Sequence, residues 1–146
     1  MKRTAQAVWS GALADGKGSI STQSSVLKDQ PYSFKTRFQD ESGKSGANPE
    51  ELIAAAHASC FAMQLSHFLA EAGHPAKKLT VDAEVTIGPV PTGGQAISKS
   101  ALTLRGDVPG MTEGQFLEQA NKAKAGCPVS KALGAIEITL DAKLVS

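Results

Sequence analysis

Hydrophobic and polar residues alternate along several segments of the chain, and this period of two predicts β-strands. From Leu79 to Ile87 every second residue is apolar, which places the apolar side chains on one face and leaves the other face to solvent. A turn rich in glycine and proline follows over residues 88–94, and Ala96 to Val108 predicts a returning strand that completes a hairpin. Ile136 to Leu144 alternates in the same way and predicts the final strand.

The amino-terminal third also predicts short strands joined by glycine turns. Tyr32 to Phe38 alternates, with Tyr32, Phe34 and Phe38 on one face, so we predict a strand over these residues. Arg37 then lies on the opposite face, which is either solvent or a second interface. Residues 41–47 contain two glycines and two serines and predict a loop.

A long helix is predicted from the residues that begin and end it. Asn48 can cap the free amides, Pro49 suits the first helical position, and Glu50 and Glu51 complement the positive end of the helix dipole. Gly73 supplies a natural stop. The helix between them is apolar almost all round, which implies burial on several sides.

Two shorter helices complete the order of elements. Thr112 and the residues after it resemble a capping box, so a second helix is expected from there to about Ala125. Cys127 and Pro128 predict the start of a short third helix. Strands, a helix, more strands, two helices and a last strand indicate an α+β fold, and we expect residues 1–146 to form a single domain.

Charge and composition narrow the range of functions. Lys and Arg number 15 against 14 Asp and Glu, a net charge of +1, so we expect neither nucleic acid nor a membrane surface as a partner. The first residues lack the apolar stretch of a secretory signal, and we expect a cytoplasmic protein. Leu52 to Ala70 has no Asp, Glu, Lys or Arg, but its two histidines, serines and many alanines favour a helix buried in protein over a membrane span.

The chain has two cysteines, in different local settings. Cys60 lies in mid-helix, beyond the reach of the dipole of its own helix, so as a reactive thiolate it needs a nearby cation; otherwise it is an inert buried thiol. Arginine would serve best, held in place by a glutamate. Cys127 caps a helix start, where free amides favour the thiolate, so local physics makes it the more acidic thiol; alternatively, it only caps a turn.

His57 stands three residues before Cys60 on one helical face. This spacing allows an imidazole–thiolate pair or two zinc ligands, with Cys127, His67 or His74 completing the site. The chain has no Cys-x-x-Cys pair, so we favour a hydrogen-bonded core or interface histidine and expect no metal.

Two cysteine motifs carry a resemblance to a known family. Residues 46–61, GANPEELIAAAHASCF, and residues 122–130, KAKAGCPVS, resemble the two signatures of the OsmC/Ohr family of hydroperoxide reductases, and the likeness runs from Trp9 to the last strand. Arg37, the residues at 31, 32 and 34, and His57 in place of a tyrosine resemble the OsmC branch. Glu50 matches the glutamate that holds the arginine in that family.

The resemblance implies a mechanism and an assembly. Cys60 would be the peroxidatic cysteine and Cys127 the resolving one, which reverses the ranking from helix position, with Arg37 and Glu50 activating Cys60. The chain would reduce organic hydroperoxides to alcohols through a sulfenic acid and a Cys60–Cys127 disulfide, protecting against oxidative stress. An external dithiol, expected to be a dihydrolipoyl group, would reopen the disulfide, with no flavin, haem or metal cofactor. The family implies an intertwined homodimer with active sites where subunits meet.

Two other functions stay open at this point. In a non-enzymatic redox sensor the same disulfide would change a binding surface, and the protein would react once rather than cycle. A structural or small-molecule-binding dimer would contain two buried thiols that react slowly and equally.

Overall fold

A computed structural model describes residues 1–146 of the chain. Its amino-terminal part is a three-stranded antiparallel sheet in the order β1-β2-β3. Its strands are β1 (Ala5–Ser10), β2 (Lys17–Thr22) and β3 (Gln30–Tyr32). The rings of Trp9 and Tyr32 lie 5.4 Å apart between centroids on this sheet, and Trp9 Nε1 donates to the carbonyl of Gly11. Gly18 leaves the space that the Tyr32 ring occupies, because a Cβ there would overlap the ring. The predicted strands and turns of this region are confirmed.

The strand predicted over Tyr32 to Phe38 is wrong: β3 ends at Tyr32, and the chain then forms a short helix, α1 (Phe34–Phe38). A capping box begins this helix, because Ser33 Oγ accepts from the amide of Thr36 and Thr36 Oγ1 accepts from the amide of Ser33. Phe34 and Phe38 are spaced for one helical face as well as for one strand face, and their ring centroids lie 5.1 Å apart. The local cap decided between two structures that the apolar spacing allows.

The long helix, α2 (Pro49–Glu71), begins and ends where the sequence predicts. Asn48 Oδ1 accepts from the amide of Glu51 at 2.8 Å, and Glu51 Oε1 accepts from the amide of Asn48. Gly73 follows the helix with φ of +82°, a conformation that favours glycine. Asp40 organises the preceding loop by accepting hydrogen bonds from Ser42 and Ser45, which lower its carboxyl pKa.

The second sheet has the order β4-β5-β6 and carries two helices in the connection before its last strand. Its elements are β4 (Lys78–Pro89), β5 (Gln95–Asp107), α3 (Glu113–Gly126), α4 (Pro128–Ala132) and β6 (Glu137–Leu144). β4 and β5 form the predicted hairpin, and Thr112 caps α3 through the predicted box with Gln115. β6 pairs with β5 in parallel, so the sheet is mixed rather than wholly antiparallel. This orientation requires a crossover, which α3 and α4 supply.

One hydrophobic core joins this sheet to the helices. Phe61, Leu65 and Leu69 of α2 cluster with side chains of β5 and α3, the most buried of which are Leu102, Leu104, Phe116, Ala120 and Ala123. α3 approaches β5 closely at Gly106, where a Cβ would overlap the Phe116 ring. This packing fixes the end of α3, and with it the position of Cys127.

Within the single chain α2 is buried along one stripe, and burial on further sides stays a prediction. Only 22% of its most apolar 18-residue stretch is buried, although the helix is long and apolar enough by composition to cross a membrane. The stripe packs into the core with the sheet, which favours a core helix over a membrane span. The apolar residues left exposed on α2 are Ala55, Ala56, Met63 and Ala70.

The chain divides into two compact units, Met1–Leu52 and Ile53–Ser146. The first contains the β1-β2-β3 sheet, α1 and the start of α2, and the second contains the rest. The single domain expected over residues 1–146 stays a prediction.

Candidate active site

The two cysteines meet in the second unit, where Cys60 Sγ and Cys127 Sγ lie 3.0 Å apart as free thiols. Cys60 is half-buried on α2, three turns from the helix start. Cys127 is fully buried where the chain leaves α3 and begins α4, with φ of −60° and ψ of 125°. This distance is within reach of an S–H hydrogen bond, and a small movement would bring the sulfurs to bonding distance.

Only one of the two sulfurs faces open space. Cys60 lines an open depression of about 430 Å³ whose other lining residues are Ser59, Met63, Gln64, His67 and Pro128. Cys127 has no exposed surface and does not line the depression. A small molecule entering from solvent therefore reaches Cys60 first.

The two thiols differ in acidity within this unit. Burial raises the pKa of the Cys60 thiol, and the hydrogen bond with Cys127 raises it further, against a smaller opposing effect from the Val129 amide. The pKa of Cys127 is lowered despite its burial, because hydrogen bonding to Cys60, Ser130 and the Val129 amide outweighs desolvation. These two directions agree with the ranking that the helix start predicts, in which Cys127 is the more acidic thiol.

His57 is fully buried next to the cysteines, with both ring nitrogens paired. Its Nδ1 lies 2.7 Å from Ser100 Oγ on β5, and its Nε2 lies 2.8 Å from Ser130 Oγ on α4. Burial lowers the pKa of His57, which keeps the imidazole neutral at pH 7. No three His, Cys, Asp or Glu residues of the chain gather at a point suited to a metal ion, so the zinc hypothesis gains no support.

Arg37 and Glu50 form an ion pair in the first unit. Arg37 Nη2 lies 2.6 Å from Glu50 Oε1, and Arg37 Nε donates to both carboxylate oxygens at 3.2 and 3.3 Å. Glu50 is buried, whereas a third of the Arg37 side chain is exposed, so the guanidinium keeps free donors on one side. An apolar pocket of about 280 Å³ adjoins Arg37, lined also by Trp9, Leu13, Tyr32, Ser33, Phe34, Phe38 and Pro49.

The structure therefore brings the predicted residues together as two pairs, Arg37 with Glu50 and Cys60 with Cys127. Sequence analysis missed Ser130 and Ser100. Ser130 could have been found, because it follows Cys127 by three residues as His57 precedes Cys60 by three. Ser100 gave no signal, since it comes from a strand 43 residues after His57.

Comparison with known proteins places this arrangement in a family. The sequence model described as "OsmC-like protein" matches residues 41–141, which include Glu50 and both cysteines. The chain belongs to the OsmC family. It is 50% identical over 141 residues to peroxiredoxin OsmC of Escherichia coli, covering 97% of this chain and 95% of that protein. It is 38% identical over 103 residues to an organic hydroperoxide resistance protein of Xanthomonas axonopodis pathovar citri, covering 67% and 68%.

Solved structures of OsmC and Ohr proteins have the same fold. The organic hydroperoxide resistance protein OhrB of Bacillus subtilis matches with a TM-score of 0.74 and 27% identity, covering 96% of this chain and 98% of that one. An OsmC-like protein of Mycoplasma pneumoniae matches with a TM-score of 0.76, covering 100% and 99%, at 16% identity. The predicted α+β class and OsmC-like fold are confirmed.

Proposed function

We propose that this OsmC-family chain is a thiol-dependent peroxidase that reduces organic hydroperoxides to alcohols. The observation that carries the proposal is the pair of free sulfurs 3.0 Å apart, one facing an open depression and the other fully buried. The curated relatives are named as a peroxiredoxin and as organic hydroperoxide resistance proteins, which supports the same chemistry.

In the first step the Cys60 thiolate attacks the terminal oxygen of the hydroperoxide. The oxygen–oxygen bond breaks, Cys60 becomes a sulfenic acid, and the released alkoxide takes up a proton to leave as an alcohol. Cys60 is placed for this step because it is the sulfur that lines the depression. The apolar side chain of Met63 beside it favours an alkyl hydroperoxide over hydrogen peroxide.

Arg37 is proposed to stabilise that thiolate. Burial raises the pKa of Cys60 within its own unit, so a cation is needed to make the thiolate available at pH 7. Arg37 stays charged, and its paired side is fixed by Glu50 while its other donors are free. The pocket beside Arg37 is lined by aromatic rings and is suited to an alkyl group.

In the second step Cys127 attacks the Cys60 sulfenic acid, a disulfide forms, and water leaves. The hydrogen bonds from Ser130 and Val129 lower the pKa of Cys127, which favours the thiolate for this attack. An external dithiol, for which we propose a dihydrolipoyl group, then reduces the disulfide by attacking Cys60, the accessible sulfur. Cys127 leaves as the more acidic thiolate, as exchange chemistry favours. This scheme uses no flavin, haem or metal.

The exposed face of α2 supports a homodimer. Met63 is 75% exposed, and three exposed alanines accompany it on a helix that has no charged residue between Glu51 and Glu71. A second copy of the chain would cover such a face, as the family resemblance implies. We propose this intertwined dimer as the working form, in the cytoplasm.

The first test is the intact mass and free-thiol count after one equivalent of an organic hydroperoxide. We expect wild type to lose two hydrogens, Cys127→Ser to gain one or more oxygens, and Cys60→Ser to stay unchanged. Inert wild type would overturn the proposal. Wild type that reacts once but does not cycle with excess dithiol would indicate a redox sensor instead.

The second test concerns Arg37. Loss of a nearby cation changes a pKa by about 1–3 pH units, so Arg37→Met should slow oxidation of Cys60 at neutral pH about tenfold to a thousandfold. Lys35→Met removes an exposed cation two residues earlier on α1 and is the matched control. Equal oxidation rates in the two variants, measured by rapid mixing with the hydroperoxide, would remove Arg37 from the mechanism.

A further inference from the structure

The peroxidase scheme leaves the buried histidine without a task. His57 has no exposed surface, and each of its ring nitrogens is engaged by a serine hydroxyl. It therefore cannot touch a hydroperoxide or a reductant. A fully paired, neutral imidazole in this position acts on its neighbours rather than on substrate.

The hydrogen bond from His57 to Ser130 runs beside the cysteine pair. His57 precedes Cys60 by three residues on α2, and Ser130 follows Cys127 by three residues on α4. Residues three apart lie on one face of a helix. The same two segments are thus joined twice, at 3.0 Å between the sulfurs and at 2.8 Å between Nε2 and Oγ.

The two connections between α2 and α4 differ in when a bond is present. The sulfur pair is bonded only in the disulfide state, whereas the His57–Ser130 bond is present while both thiols are free. The helix α4 has only five residues, and no side-chain hydrogen bond from Cys127 caps it. The hydrogen bond is thus a polar link from α2 to α4 that exists without a covalent bond between the sulfurs.

We propose that His57 is a positioning residue for the resolving step: through Ser130 it holds α4 against α2, so that Cys127 stays within reach of the Cys60 sulfenic acid. The inference rests on the proposed peroxidase function. Ser100 Oγ contacts the other ring nitrogen from β5 and takes no part in the link between α2 and α4.

The chemical consequence is a competition for the sulfenic acid. In resolution, the Cys127 sulfur bonds to the Cys60 sulfur, the sulfenic hydroxyl leaves, and with the thiol proton it forms water. In over-oxidation, the sulfenate attacks a second hydroperoxide, gains its terminal oxygen to become a sulfinic acid, and releases an alcohol. Holding Cys127 close favours the first path and protects Cys60.

The experiment measures this competition by mass spectrometry in the full-length protein with excess tert-butyl hydroperoxide. Loss of one hydrogen bond changes an equilibrium by about tenfold at most, so Ser130→Ala and His57→Gln should each raise the ratio of sulfinic acid to disulfide by up to about tenfold. Because the Ser130 side chain lowers the pKa of Cys127, the ratio is compared on the pH plateau where Cys127 is fully ionised in every variant.

Ser100→Ala is the matched control. Ser100 is as buried as His57 and bonds the same ring, but it lies on β5 and makes no link to α4. A ratio near that of wild type supports the proposal. A rise in Ser100→Ala equal to that in Ser130→Ala would overturn it, because the histidine would then be only a packing element.

A double-mutant cycle keeps the test independent of folding defects. If His57 and Ser130 act through one bond, the double variant should be no worse than either single variant. Additive increases would refute the positioning role. If neither wild type nor any variant loses a thiol to the hydroperoxide, the peroxidase function itself has failed. This outcome is distinct from an unchanged ratio of sulfinic acid to disulfide in a protein that still forms the disulfide.

Discussion

The two sides of α2 both lack Asp, Glu, Lys and Arg between Glu51 and Glu71 but have different surroundings. His57, Phe61, Leu65 and Leu69 recur every fourth residue and are completely buried, whereas Met63 between them is 75% exposed. The apolar content of a helix therefore predicts that it packs against other elements, while the spacing of its apolar residues predicts which of them are buried within the chain. Cys60 adjoins the buried Phe61 and lines the open depression, so it lies at the border between the two sides.

This border position fits the different roles that we propose for the two cysteines. A thiol on the buried side would be closed to hydroperoxide, and a thiol in the middle of the exposed side would have no resolving partner. Cys60 has both access to the depression and a sulfur 3.0 Å away. The half-buried setting that raises its pKa is the cost of this position, and we propose that Arg37 offsets it.

The largest expected effect is a loss of stability when a side chain on the buried side of α2 is truncated. Leu65→Ala removes a fully buried side chain from the core and should lower the free energy of unfolding by about 2–5 kcal/mol. Ser66→Ala, at the next and exposed position, should change it by less than about 0.5 kcal/mol. Denaturant unfolding of both variants measures the difference, and equal losses would mean that the two sides are not distinct.

A charge on the exposed side should act on association instead. Met63→Glu would bury an unpaired carboxylate in the proposed dimer and should weaken association by about 3 kcal/mol, roughly a hundredfold. Thr80→Glu adds the same charge on the exposed face of β4 and is the control. Sedimentation equilibrium measures the association of both variants. A Met63→Glu protein that associates like wild type would place the interface elsewhere.

Each side of α2 also has one histidine. The smallest expected effect is a difference between these two histidines in how the stability of the protein depends on pH. Burial depresses the pKa of His57, so the unfolded state binds more protons than the folded state below the ordinary histidine pKa. Stability should therefore fall as the pH drops below about 6.5, by up to about 1.4 kcal/mol per pH unit. His57→Gln should flatten this slope. His67→Gln, on the exposed side where His67 lies 3.5 Å from Glu71, should keep it.

Short-range signals predicted most of the fold. The Asn48 cap and Gly73 stop of α2, the β4–β5 hairpin and the Thr112 box all lie where the sequence puts them, because each depends on a few neighbouring residues. The error at Phe34 to Phe38 has the same origin. Apolar residues four apart suit a strand face and a helix face equally, and the cap formed by Ser33 and Thr36 was overlooked.

Long-range features could not be predicted from local patterns. Alternation in β6 does not tell whether the strand runs parallel to its neighbour, and the parallel pairing with β5 depends on the crossover through α3 and α4. The site was located through the two cysteine motifs, and the sulfurs do meet. The bonds of His57 to Ser100 and Ser130 span 43 and 73 residues. The matching three-residue spacings in the two cysteine motifs point to Ser130, but nothing in the sequence points to Ser100.

The separation of the two cysteines in the chain has a consequence for newly made protein. Cys127 follows Cys60 by 67 residues, and at about 5–20 residues per second a ribosome needs roughly 3–13 s to add them. During that time Cys60 exists without its resolving partner, and a sulfenic acid formed on it has no intramolecular path back. Chains in synthesis would thus lack the protection that we propose Cys127 gives to mature ones.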